Sequence, residues 1–306
     1  MEYKNLFRDE LDNIETNYFI LDTKGARSSH IDLDFIKYSW RTNKYNKVRE
    51  GDLFIYRRPS KVSETKEFYF FGAGKIKNII PFGPTEEKRV EGVIEKPYPF
   101  RTNLFASDLE KYQWAEKERK EGSWANFFHQ YGMNKITKDD FLYLLENSEG
   151  VSDFEYDSRA ATGALKDIQN QNYYVDDEIG EIKRRSKQSV FANQVKTNYR
   201  NRCAICNIST KAFLIGSHII PWSKNKNIRL DPSNGISLCV LHDKLFDKGY
   251  ITLDEDLRVL VSSEVYKDEA LTEYVEKIEN KKIKKPVKQE PKAEYISYHR
   301  EVIFQR

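Results

Sequence analysis

The sequence predicts an α+β protein of two domains, and three observations predict it. Up to about residue 150 the chain is a succession of aromatic and β-branched runs cut by turn residues. From 151 to 185 it is polar and lacks apolar periodicity. From 186 to 306 it opens on a helical pattern and holds every cysteine of the chain. A length of 306 residues accommodates two separate cores.

In the first domain, 1–150, the predicted strands are NYFILDT (17–23), DLFIYRR (52–58) and EFYFFGAGKI (67–76). Turn residues such as Glu50-Gly51 and Gly72-Ala73-Gly74 bound them. Helical patterns follow at 108–121 and 138–147. The second starts at Thr137, with Asp139 and Asp140 in its first turn, where carboxylates complement the helix dipole.

Residues 151–185 read as a linker, with a helical stretch between Arg159 and Gln169. Asp153, Glu155, Asp157, Asp176, Asp177 and Glu178 make it acidic before Lys183-Arg184-Arg185 turns it basic.

In the second domain, 186–306, Phe191, Val195 and Tyr199 recur at helical spacing. LIGSHIIPW (214–222) reads as a strand with His218 near its end and Pro221 stopping it. Asp231-Pro232-Ser233-Asn234-Gly235 is a turn by composition, ISLC (236–239) a second short strand, and 241–246 a short helix ending before Gly249. The lysine-rich stretch 277–293, with Pro286 and Pro291, reads as an exposed loop, and EYISYHREVIF returns to a packable pattern.

Bulk composition excludes several classes. Aromatic residues at 13% argue against a disordered chain. No apolar run is long enough for a membrane span, and MEYKNLFRDELDN lacks the basic flank and apolar core of a secretory signal. The expected location is cytoplasmic, with no membrane partner. The net charge of +3 hides an uneven distribution. Between Glu181 and Leu230 lie Lys183, Arg184, Arg185, Lys187, Lys196, Arg200, Arg202, Lys211, Lys224, Lys226 and Arg229 against the single acid Glu181. Such a run is the footprint of a surface that meets phosphates.

Cys203, Cys206 and Cys239 are the only cysteines. An odd count without an export signal argues against a disulfide framework. Cys203-Ala-Ile-Cys206 is a C-x2-C knuckle and Cys239-Val-Leu-His242 a C-x2-H knuckle. Thiolates and imidazole are ligands zinc prefers, and two knuckles supply four corners of a tetrahedron, so a structural zinc is expected.

These motifs resemble those of the HNH, or ββα-metal, endonucleases, and in particular the branch found in bacterial restriction enzymes. The matching residues are Gln188-Ser-Val-Phe191, Tyr199-Arg-Asn-Arg-Cys203, Ser217-His-Ile-Ile-Pro221, Asn234-Gly-Ile-Ser-Leu238 and Leu245-Phe-Asp-Lys-Gly249. The resemblance implies that His218 is the general base that deprotonates the attacking water, as an imidazole titrating near neutrality suits. It implies that Asn234 positions the site or helps to ligate the metal.

The third position departs from the pattern. Where close relatives carry a histidine three residues before the phenylalanine, this chain has Asp243, and His242 precedes it. Two assignments follow. In one, His242 joins the zinc and Asp243 takes the catalytic Mg2+ or Mn2+, for which a carboxylate is a good ligand. In the other, His242 takes the catalytic metal and zinc keeps three cysteines. Ser217 also stands where the family often has an acid or histidine. Lys224, Lys226 and Arg229 are the candidates for phosphate contacts.

The first domain is similar to PUA-like modules, including the EVE and SRA types, through FIKYSWRTNKYNKVREGDLFIYRRP followed by EFYFFGAGKI. That resemblance implies a mixed β-barrel that reads nucleic acid, with a base flipped out of the duplex and stacked on aromatics. Tyr38, Trp40, Tyr45, Tyr56 and Trp124 are the pocket candidates, with Asp32 or Asp34 reading a cytosine-type edge.

The expected function is then a DNA endonuclease directed at modified cytosine. The alternatives are a restriction nuclease acting on an unmodified sequence and a zinc-stapled nucleic-acid-binding protein without catalysis. The partner is double-stranded DNA, and cutting both strands symmetrically needs two active sites, which a homodimer supplies.

Overall fold

The computed structural model describes residues 2–24, 32–42, 46–84, 88–116, 118–120, 123–125, 127–128, 132–148, 157–177 and 180–306. The chain divides into two compact units, Met1–Thr162 and Gly163–Arg306.

The first unit begins with two short helices, α1 (Glu2–Leu6) and α2 (Arg8–Asp12), and is built on a mixed six-stranded sheet. Its strands are β1 (Tyr18–Asp22), β2 (Lys37–Arg41), β3 (Leu53–Arg58), β4 (Tyr69–Pro81), β5 (Arg89–Phe105) and β6 (Met133–Ile136), in the spatial order β2-β5-β4-β3-β1-β6. β1 and β3 run parallel and the other pairs antiparallel. The parallel pair β1 and β3 are interior strands whose apolar runs lack polar alternation, as strands covered on both faces must, and every residue of β1 is buried.

Register shifts along the long β4–β5 pair curl the sheet into a half-barrel. The closed barrel implied by the resemblance is not formed among the described residues, where β2 and β6 end the strand order. Asp22 and Arg57 form a bidentate pair at 2.6 Å inside this unit, and Phe128 lies under the guanidinium at 4.1 Å. Such a pair needs its full geometry to offset the loss of hydration.

The helix expected at 138–147 is α3 (Lys138–Ser148). Thr137 and Asp140 hold its start reciprocally: the Asp140 amide donates to the Thr137 hydroxyl at 3.1 Å and the Thr137 amide to the Asp140 carboxylate at 3.2 Å. Among the described residues of 108–121, the expected α-helix is not formed. Asp108 accepts the Phe105 amide at 2.6 Å and caps a single turn, Ala106–Leu109. Beyond it Tyr112 stacks on Tyr143 at 3.7 Å and donates to Asp140 at 2.7 Å, while Trp114 joins Phe127 and Phe128. Tertiary packing of these rings overrides the local helical periodicity.

Within the stretch read as a linker, 151–185, residues Ser158–Gln169 form helix α4 where a helical stretch is expected, and Tyr173–Asp177 hydrogen-bond within the second unit. Helix α5 (Glu181–Asn198) starts earlier than the apolar pattern suggested. It is followed by β7 (Leu214–His218), β8 (Gly235–Cys239) and α6 (Val240–Asp247), then β9 (Ile251–Leu253), β10 (Val259–Val261), α7 (Glu269–Val275) and α8 (Ala293–Tyr298).

The lysine-rich stretch 277–293 is largely exposed, as expected, and is anchored through Asn198. The buried Asn198 side chain accepts the Lys288 amide at 2.8 Å and donates to the Gln289 carbonyl at 2.7 Å. Gly249, at φ +74°, closes α6, and a Cβ there would lie 2.0 Å from the Ile303 carbonyl oxygen. Only glycine fits both the conformation and the approach.

Candidate active site and metal centre

The second unit brings most of the predicted residues together on β7, β8 and α6. β7 and β8 pair antiparallel, from Leu214 opposite Cys239 to His218 opposite Gly235, and α6 follows β8 directly. β7 ends at His218, earlier than the 214–222 run suggested. Past that point the Ile219 amide donates to the Asn234 carbonyl at 2.9 Å and the Ile220 amide to the Asn234 side chain at 2.8 Å.

His218 is set from three sides. Its Nε2 lies 3.0 Å from the Arg229 carbonyl oxygen. A carbonyl only accepts, so Nε2 carries the proton and the lone pair is on Nδ1. Phe191 of α5 stacks on the ring at 3.7 Å and 11°, and Trp222 meets it edge-on at 5.8 Å. Burial pushes the His218 pKa down to about 4, against the hydrogen bond to Arg229, which favours the charged form. The ring is therefore neutral at neutral pH, with one nitrogen ready to accept a proton.

Asn234 is 1% exposed. Its side-chain oxygen accepts the Ile220 amide and its nitrogen donates to the Ile220 carbonyl at 3.1 Å. The amide is thus spent on holding the turn against the end of β7. Buried and turned onto Ile220, Asn234 holds the end of the strand that carries His218, the positioning role of the two expected for it.

Asp243 lies on α6, half-buried, with a hydrogen bond from Ser217, the residue beside His218. Burial pushes its carboxyl up, and the Ser217 hydrogen bond pulls it down. Ser217, which departs from the charged family pattern, thus reaches the acid on α6. A half-exposed carboxylate is a ligand that suits Mg2+ or Mn2+, ions that bind through one or two carboxylates and the substrate phosphate.

Cys203, Cys206, Cys239 and His242 form a second cluster, with all four ligand atoms within 4.8 Å of one another. Cys206 and Cys239 sulfurs are 3.8 Å apart, and His242 Nδ1 lies 3.5 Å from Cys203 and 3.2 Å from Cys239. A tetrahedral zinc with Zn–S near about 2.3 Å requires S···S near about 3.8 Å, so the cluster fits that ion. His242 faces the sulfurs, which favours giving it to zinc and leaving Asp243 for a catalytic ion.

The predicted phosphate contacts separate. Lys224 is exposed. Lys226 pairs with Asp177 at 2.7 Å and Asp176 at 3.5 Å. Arg229 is turned inward: at 3% exposure, its guanidinium donates to the Trp222 carbonyl, the Val175 carbonyl and Asp177. The Arg229 carbonyl and Trp222 had no assigned role from sequence. A backbone acceptor leaves no mark on residue identity, and Trp222 looked like the end of a strand.

In the first unit, Tyr38 and Tyr56 are buried, and their hydroxyls meet the Asp22 carbonyl and the Phe35 amide, both at 3.0 Å. Trp40 packs against Gly92, where a Cβ would lie 2.9 Å from its ring. All three are buried, packed side chains. Trp124 is half-buried, edge-on to Phe68 at 4.9 Å, with Arg119 over its ring at 4.6 Å. Asp32 accepts the Ser39 amide at 2.8 Å and the Ser39 hydroxyl at 3.1 Å. Tyr45 lies outside the described residues.

No described helix is long and apolar enough to cross a membrane. No curated protein matches the chain. Among solved structures, a "modification dependent TagI restriction endonuclease" aligns over 92% of this chain and 80% of its own, at 14% identity and a TM-score of 0.24. The family model described as HNH endonuclease matches residues 203–254, which span both knuckles, His218, Asn234 and Asp243. The assignment rests on that match and the geometry above. Residues 203–254 thus carry an HNH endonuclease domain, a domain of hydrolases that cleave DNA.

Proposed function

We propose that the chain is a metal-dependent DNA endonuclease in which His218 is the general base, Asp243 holds a catalytic Mg2+ or Mn2+, and Cys203, Cys206, Cys239 and His242 hold a structural zinc. The single observation that carries the reading is the His218–Arg229 hydrogen bond, which puts the proton on Nε2 and leaves the lone pair on Nδ1, next along β7 to the Ser217 that bonds Asp243. A divalent ion bound there supplies positive charge for the phosphoryl and leaving oxygens. His218 takes the proton of the attacking water at Nδ1, Phe191 and the Arg229 carbonyl keep the ring in line, and Asn234 fixes the strand end.

We further propose that the first unit directs cutting to modified cytosine in double-stranded DNA. Its support is Asp34, 8% exposed, which spends one oxygen on Arg58 at 2.6 Å. The other oxygen is buried without a hydrogen-bond partner among the described residues, an acceptor that suits a cytosine amino group. The neighbouring Phe35, Tyr56 and Phe71 give an aromatic environment. The burial of Tyr38, Trp40 and Tyr56 favours the second reading, in which the unit reads unmodified sequence.

One plasmid in three states separates these: unmodified, carrying 5-methylcytosine and carrying 5-hydroxymethylcytosine, each with Mg2+ or Mn2+. Cleavage confined to a modified plasmid supports the first reading. Discrete fragments from the unmodified plasmid support the second.

A further inference from the structure

We propose that Arg229 is a positioning residue for His218, and that residues 173–177, upstream of the nuclease motifs, lock it in that role. This rests on the reading of His218 as the base. The ring needs an acceptor for its Nε2 proton, and the structure supplies a backbone carbonyl in the loop between β7 and β8. A loop carbonyl holds a fixed direction only if the loop is anchored.

Here the anchor is the residue's own side chain. The Arg229 guanidinium donates from Nε to the Trp222 carbonyl at 2.7 Å, from Nη1 to the Val175 carbonyl at 2.8 Å and from Nη2 to Asp177 at 2.5 Å. It also lies over the Trp222 ring at 5.0 Å, and that ring is edge-on to His218. The backbone on either side is stitched to the same upstream segment. The Val175 amide donates to the Lys226 carbonyl at 3.0 Å, and the Leu230 amide to the Tyr173 carbonyl at 3.1 Å. Lys226 closes on Asp177 at 2.7 Å.

An arginine that binds phosphate keeps its fork in solvent. One that is 3% exposed and spends its donors on three protein acceptors acts through the backbone it fixes. The segment that sequence texture marks as linker therefore completes the catalytic arrangement.

The test uses the full-length protein labelled with 15N-histidine, and the variants Arg229→Met, Arg229→Lys and Asp177→Asn. The ring 15N shifts of His218 report its tautomer, and plasmid nicking gives kcat and KM. The wild type is expected to show the Nε2–H tautomer alone. Arg229→Met is expected to add the Nδ1–H form and lower kcat on the order of tenfold to a hundredfold, with KM held within about twofold.

Lysine keeps the charge without the fork, so Arg229→Lys is expected to shift the tautomer in the same direction, as is Asp177→Asn to a smaller extent. These two carry the test if Arg229→Met fails to fold. A raised KM with a changed salt dependence, at unaltered kcat and tautomer, would overturn the proposal and make Arg229 a phosphate contact. His218→Ala cutting at the wild-type rate would overturn the base reading itself. A tautomer shift in the Arg229 variants would then show a clamp acting on a histidine outside the chemistry.

Discussion

Gly216→Ala tests whether the packing of α5 on β7 sets the base. A Cβ at Gly216 would stand 2.6 Å from the Ala192 Cα, 3.0 Å from its carbonyl oxygen and 3.1 Å from its Cβ. The obstructing atoms are mostly helix backbone, so no side-chain rotation relieves them. Restoring ordinary contact needs α5 to move by about 1 Å, an overpacking cost of about 1–3 kcal/mol. At about 2–4 °C per kcal/mol, the melting temperature of the second unit falls measurably.

Ala192 follows Phe191, the residue stacked on His218 at 3.7 Å, so the same movement displaces the ring that packs on the proposed base. A misplacement of about 1 Å costs up to about a hundredfold in rate. The assay is thermal melting and plasmid nicking of Gly216→Ala beside Gly163→Ala. Gly163 lies in α4 with nothing within 4 Å of its Cβ position, so its alanine variant is expected to be stabilised by about 0.5–1 kcal/mol at unchanged rate. A Gly216→Ala protein with wild-type melting and nicking would refute the reasoning.

Asn234→Ala removes both hydrogen bonds to Ile220 and is expected to destabilise the unit by about 2–4 kcal/mol and abolish nicking; denaturant unfolding checks it, and Asn234→Asp should recover part of the stability through the retained acceptor. Metal analysis should find one zinc per chain, lost in Cys239→Ser together with the folded second unit, whereas brief EDTA treatment should stop cleavage with the zinc still bound. His299 is 1% exposed, and burial pushes its pKa down to about 4 from the ordinary 6.5. The unfolded chain then binds the extra proton between those values, so stability falls as pH drops from 6.5 towards 4, by up to about 3 kcal/mol; a flat unfolding free energy across that window would contradict the assignment.

The motifs of the second domain were legible because each is a local spacing tied to a chemistry. Cys203-x2-Cys206 and Cys239-x2-His242 announce a tetrahedron, and the structure places their four ligand atoms together. β1, β3 and α3 were readable because an apolar run and a Thr137–Asp140 start signal act over a few residues. What escaped depends on distant partners. The 108–121 segment has helical periodicity, yet its rings find better contacts with Tyr143, Phe127 and Phe128. Arg229 sits in a basic run and looked solvated, because nothing local shows that Asp177 and the Val175 carbonyl close over it. The anchor of the exposed 277–293 stretch, Asn198, lies on α5 far back in the chain and leaves no local signal.

The most direct test of the central claim compares wild type, His218→Ala and Asp243→Ala for plasmid nicking with Mg2+ or Mn2+, at matched zinc content. The account predicts that both variants keep their zinc and fold and that both lose cleavage by more than about a hundredfold. Cleavage at the wild-type rate by folded, zinc-loaded His218→Ala would contradict it.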